Sequence, residues 1–174
     1  YDAITQVVRV GILVAETERE VERLKSAPHV RPMRDIRLAG TPAQVTDALH
    51  TGGFRWVGVY EVTPTDVVNL AWSGPAGPAH PTFPIDHGLT AEAVATGRSV
   101  VCNDVAADPR YLTALENTGS EIIVPVVAAG RVAGTLDVES DQLDAFDDEV
   151  RLSLELVAAE LPPLYDLPAR RLDG

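Results

Sequence analysis

The 174-residue sequence contains one cysteine, Cys102. A single thiol excludes an intramolecular disulfide and any zinc site built on cysteines. It ends the apolar run Ser99-Val100-Val101-Cys102, the setting of a buried, inert thiol. Basic residues are scarce as well. Fourteen Lys+Arg stand against 26 Asp+Glu, a formal net charge of −12. Such a balance repels phosphate backbones and leaves no basic face for a nucleic acid. The two small clusters, Arg31/Arg34/Arg37 and Arg170/Arg171, read as solvated loop and tail charges. No apolar run approaches the roughly 20 residues of a membrane span. The opening residues lack a signal-peptide pattern. A reduced, soluble, cytoplasmic protein with no nucleic-acid or membrane partner is expected. Two catalytic signatures are also missing. Gly74-Pro75-Ala76-Gly77 is interrupted by proline and does not lead a strand into a helix, so it is no phosphate loop. There is no Gly-x-Ser-x-Gly elbow.

What is present is ordinary for a globular chain: 45% hydrophobic and 23% charged residues. The length suits one domain with a helical extension. Residues 3–26 carry a helical stripe, Ile4, Val7, Val8, Leu13, Val14, Val21 and Leu24. Pro28 and Pro32 end it, and residues 27–40 form a connector. Thr41-Pro42 opens a helix that runs to about His50 and stops at Gly52-Gly53. Strands follow at 54–62 and 67–72, joined by the turn Thr63-Pro64-Thr65-Asp66. Residues 73–89 are rich in Pro and Gly and predict a long irregular loop of the kind that carries function. A short helix spans 90–96, closed by Gly97. The pattern then predicts a strand at 99–105, a short helix at 110–117, and strands at 121–128 and 132–140. A final helix from Phe146 to about Leu161 is capped by Asp144. The sum is an α+β domain with an antiparallel sheet of five to six strands. Helices from the N- and C-terminal parts cover one face; loops and short helices cover the other.

Strand alternation sorts the residues by face. Trp56, Gly58 and Tyr60 point one way from the first strand. Asp137 and Glu139 share a face of the last strand, opposite Leu136 and Val138. Glu121 shares a face with Ile123, opposite Ile122 and Val124. The aliphatic residues suit the helix-covered core, so the acids fall under the loops. Carboxylates beside Trp and Tyr rings make a site for a cation. Three acids together repel one another, which favours a protonated member or a bound amine or metal. An open, solvated sheet face is the alternative. His80 and His87, near Asp86, could join Glu121, Asp137 or Glu139 in a mixed His/carboxylate metal site, although their spacing matches no strong motif.

Several segments carry a resemblance. They are Trp56-Val57-Gly58-Val59-Tyr60, the stretch from Gly74 to Gly97, Ser120-Glu121-Ile122-Ile123-Val124-Pro125, the run from Gly130 to Ser140, and Phe146-Asp147-Asp148-Glu149. Over about residues 40–161 the sequence resembles a GAF domain, and more narrowly the free methionine-(R)-sulfoxide reductase branch. The resemblance implies a helix and connector at 1–36, the GAF domain at 37–164 and a tail at 165–174. It implies a ligand cage of Trp56, Tyr60, Glu121, Asp137 and Glu139, with Glu139 replacing an Asp. It also implies up to three thiols. Their positions hold His80, Thr90 and Ala114 here, and Cys102 matches none of them. Sulfoxide reduction needs an attacking and a resolving thiol. The expectation is a sensory or regulatory module without cofactor, metal or catalytic residue. It would bind an amine- or amino-acid-like ligand through the cage, with His80 and Thr90 in the pocket, and form a homodimer through terminal helices. An enzyme of altered chemistry in the same pocket, with metal dependence through His80 and the carboxylates, and a structural dimerisation module are the alternatives.

Overall fold

The computed structural model describes residues 41–113 and 115–165. The leading helix and connector, both Arg clusters, Ala114 and the tail from residue 166 lie outside the described residues. So does the apolar stripe expected to serve a dimer.

The first described element is α1 (Pro42–Thr51), whose start is specified twice over. The Thr41 hydroxyl accepts from the Gln44 N–H, and the Gln44 side chain accepts from the Thr41 N–H, a reciprocal capping box with Pro42 in the first turn. Then come β1 (Trp56–Val62), β2 (Asp66–Ser73), β3 (Thr82–Pro84), α2 (Gly88–Thr96) and β4 (Val100–Cys102). After β4 the described residues form β5 (Ser120–Ala128), β6 (Arg131–Ser140), α3 (Asp148–Ala158) and a 3₁₀ turn at Pro162–Leu164. The six strands form one sheet in the order β3-β2-β1-β6-β5-β4, with every neighbouring pair antiparallel.

The two faces differ as the alternation requires. On one, Val57, Val59, Ile122, Val124, Leu136 and Val138 pack against Val45 and Leu49 of α1 and against Leu154 and Val157 of α3. On the other, α2 and the intervening loops cover Trp56, Tyr60, Ile123 and the acids.

Local differences from the sequence reading have local causes. The long loop contains β3, where Val67 and Val68 of β2 pair with Phe83 and Thr82. The predicted strand at 99–105 shortens to three residues, because Asp104 caps a 3₁₀ turn at Val105–Ala107. The helix predicted at 110–117 does not form among its described residues. Its start is diverted by the Asp108 carboxylate, which accepts from the Arg110 backbone N–H at 2.9 Å and from Nε at 3.0 Å. A short helix is marginal without such competition. Asp147, not Asp144, caps α3, accepting from the Val150 N–H at 2.9 Å. Asp144 instead takes a positive φ of 53° and donates its N–H to the Asn103 carbonyl.

Candidate functional site

The pairing of β1, β6, β5 and β4 sets the site out in rows across the sheet. Trp56 lies opposite Glu139, Glu139 opposite Glu121, and Glu121 opposite Cys102. The next row on the same face is Gly58, Asp137, Ile123 and Val100. Tyr60 and Thr135 follow. Register alone therefore gathers three carboxyls and two aromatic rings on one patch. Gly58 is required there. A Cβ on it would stand 2.5 Å from Trp56 Cη2 and 2.7 Å from Tyr60 Cε2, so only glycine lets both rings close over the row that holds Asp137.

The rings are fixed from outside. The Trp56 indole N–H donates to the Ala76 carbonyl at 3.0 Å. Tyr60 meets Phe83 edge-on, with centroids 6.0 Å apart. The Tyr165 hydroxyl donates to the Tyr60 carbonyl at 2.9 Å, while the Tyr165 ring lies on the bare Gly134.

Trp56, Tyr60, His80, Phe83, Leu89, Thr90, Leu112, Glu121, Ile123 and Asp137 line a cavity of about 20 Å3, with Gly88 at its edge. That is room for about one water, far below the roughly 300 Å3 at the lower end of ligand pockets. Six of the seven expected site residues thus meet at one cavity. His80 is exposed at its mouth and Thr90 is buried in its wall. Glu139 departs from the expected placement. It is fully buried beside the cavity rather than in its lining, and its Oε2 pairs with the Thr118 hydroxyl. Phe83, Leu89 and Leu112 were not foreseen, because they arrive from β3, α2 and a loop whose docking strand periodicity does not encode.

The electrostatics are unusual for a folded interior. Asp137 and Glu121 are 4% and 6% exposed, and among the described residues no Lys or Arg lines the cavity. Burial raises the Asp137 carboxyl to about 7; the Thr135 hydroxyl pulls the other way and the Glu139 charge adds to the rise. Burial also raises Glu139 to about 7, against the Thr118 hydroxyl and the Arg55 charge. Burial, and then the charges of Glu139 and Asp137, hold Glu121 well above the usual carboxylate range. The Tyr60 phenol is pushed up by burial and by all three acids. Asp137 Oδ1 and Glu139 Oε1 are buried without a hydrogen-bond partner, a costly state that a donor group would relieve. Cys102 faces the same side as Glu121, but burial raises its thiol, which disfavours the thiolate. Among the described residues no group of three His, Cys, Asp or Glu is arranged to hold a metal ion.

This six-stranded sheet, helix-covered on one side and enclosing a small polar pocket on the other, is the GAF fold. The GAF domain family profile matches residues 42–161, so the chain belongs to that family, whose members are generally small-molecule-binding regulatory domains. The chain is similar to GAF domain-containing protein A of Dictyostelium discoideum, 32% identical over 61% of this chain and 67% of the relative. Among solved structures it resembles the type II free methionine-R-sulfoxide reductase of Thermoplasma acidophilum, with a TM-score of 0.61 and 32% identity over 64% of this chain and 79% of that one. It also resembles the Neisseria meningitidis free methionine-R-sulfoxide reductase solved in complex with its substrate. There the TM-score is 0.67, with 28% identity over 79% and 83% of the two chains. No described helix is long and apolar enough to cross a membrane.

Proposed function

We propose that this GAF domain is a regulatory module that binds a small amine- or amino-acid-like ligand and lacks thiol reductase activity. One observation carries the reading: Asp137, buried, orphaned at Oδ1 and without a basic neighbour among the described residues of the lining, sits under Trp56 and Tyr60. An ammonium group suits that spot. It would give Asp137 and Glu121 charge-assisted hydrogen bonds and present a cation to two aromatic faces. It would also lower both carboxyl pKa values. An anionic ligand would meet two acids in the lining and no cation among the described lining residues. His80 at the mouth and Thr90 in the wall are placed to contact the rest of such a ligand.

The thiol inventory supports the absence of reductase chemistry. The sequence offers Cys102 alone, in a strand, where burial raises its thiol and disfavours the thiolate. An attacking and a resolving thiol are both needed for that reaction. The cavity must enlarge to admit a ligand, so binding and movement of α2 and the neighbouring loops are coupled in this reading. The terminal segments would then carry the change to a partner or a second copy of the chain.

Thermal melts at pH 8 with free amino acids, methionine sulfoxide and simple alkylamines test this. At a concentration of about 100 times Kd a ligand adds roughly 2.7 kcal/mol, enough for a shift of several degrees. The wild type should shift with at least one amine. Asp137→Asn and Glu121→Gln should not. A shift kept in both variants, or none with the whole panel, overturns the proposal. Consumption of free methionine-(R)-sulfoxide with dithiothreitol as reductant would refute the second half.

A further inference from the structure

Glu139 differs from the other two acids in what surrounds it. It is 0% exposed and absent from the cavity lining. Burial raises its carboxyl to about 7, and the Thr118 hydroxyl and the Arg55 charge draw it part of the way back toward the ionised form. Arg55 also donates from Nη2 to the Glu116 carbonyl at 3.3 Å, and its Nε lies 3.8 Å from Asp141 Oδ2. The Thr118 hydroxyl stands between Glu139 Oε2 and the Leu115 carbonyl, the latter 3.0 Å away.

Glu116 and Thr118 end the segment that leads from β4 to β5. That segment brings Leu112 to the cavity wall and Leu115 to the cluster around Trp56 and Tyr60. Two adjacent ties, Arg55 to Glu116 and Glu139 to Thr118, therefore fasten this cover to the sheet. Glu121 and Asp137 both line the cavity, Asp137 Oδ1 is unpartnered, and no hydrogen bond from the cover to either carboxyl is seen among the described residues.

We infer that Glu139 is a positioning residue that anchors the covering segment through Thr118, and that only Glu121 and Asp137 face the ligand. The second half rests on the amine-binding reading; the first does not. Glutamate fits the anchoring role. Its reach ends on Thr118 beside Arg55, and what the anchor needs from it is a hydrogen-bonding group rather than a charge. Glutamine preserves that group, so the two roles separate by substitution.

Two measurements on the full chain test the inference. The first is hydrogen exchange of peptides covering residues 103–119 without ligand. Loss of one such bond is worth up to about tenfold in opening. Thr118→Val and Glu139→Leu should raise exchange by roughly that factor. Glu139→Gln and Asp137→Asn should stay within about twofold of wild type. If Glu139→Leu does not fold, Thr118→Val and Glu139→Gln carry this arm. Unchanged exchange in Thr118→Val, or loosening in Glu139→Gln equal to that in Thr118→Val, overturns the anchor.

The second measurement is calorimetric titration with L-methionine at pH 8. A hydrogen bond to a charged group is worth about 10- to 100-fold in affinity. Asp137→Asn should lose on that order, and Glu139→Gln should stay within about threefold. Equal losses in both variants overturn the division of roles. No binding by the wild type counts against methionine as ligand and against the ligand-facing half, while the anchor is decided by exchange alone.

Discussion

Raising the pH from 5 to 8 should destabilise this domain, and Asp137 should account for a measurable part of the loss. The ordinary carboxyl value is 3.8, and in the fold Asp137 titrates at about 7. The difference of roughly 3 units corresponds to about 4 kcal/mol between the protonated and ionised forms. The native state binds the proton more tightly than the unfolded chain. Stability from this group is therefore fully present below pH 3.8 and is lost as the pH rises through 7. Integrating between pH 5 and 8 gives a fall on the order of 2–3 kcal/mol from this one residue. Glu139, also raised to about 7, adds to the loss in the same direction. Asp137→Asn removes the titration while keeping the shape. Urea unfolding of both proteins at pH 5, 6, 7 and 8 is the assay. The wild type should lose stability steadily, and the variant should lose about 2 kcal/mol less and overtake it near pH 8. A wild-type stability that is flat or rises over this range, or an identical slope in the variant, would rule out a raised Asp137 as the cause.

Two further predictions bear on the frame. Gly58→Ala places a methyl against two buried rings, so it should cost roughly 1–3 kcal/mol in urea unfolding and weaken any ligand that Asp137 holds. Leu136→Ala removes a fully buried side chain beneath α1 and α3; a loss of about 2–5 kcal/mol in the same assay is expected, with the pH slope unchanged.

The fold was legible wherever a local rule and the burial pattern agreed. Thr41-Pro42 announced α1 because the cap and the proline act within one turn. The β5 and β6 strands were legible because Leu136/Val138 against Asp137/Glu139 leaves only one face for the core. The same alternation put the acids on the right face without knowledge of register. What failed depended on partners distant in sequence. The short β3 exists because β2 offers it an edge, which its own three residues do not signal. The helix predicted at 110–117 was lost to an Asp108–Arg110 pairing that extends to Glu92 of α2 at 2.5 Å. At the site, alternation could say which way Glu139 leaves the strand. It could not say that the carboxyl ends on Thr118 instead of in the cavity, because that depends on a loop 21 residues earlier. Nor could it foresee how tightly the loops close over Asp137, a matter of packing between segments.

The most direct test of an ammonium-binding pocket is a matched pair: calorimetric titration of the wild type at pH 8 with an amino acid that shifts its melt and with the des-amino acid of the same side chain. Heat of binding is expected for the amine-bearing compound alone, lost in Asp137→Asn. Equal binding of both compounds, or preference for the des-amino acid, would contradict it.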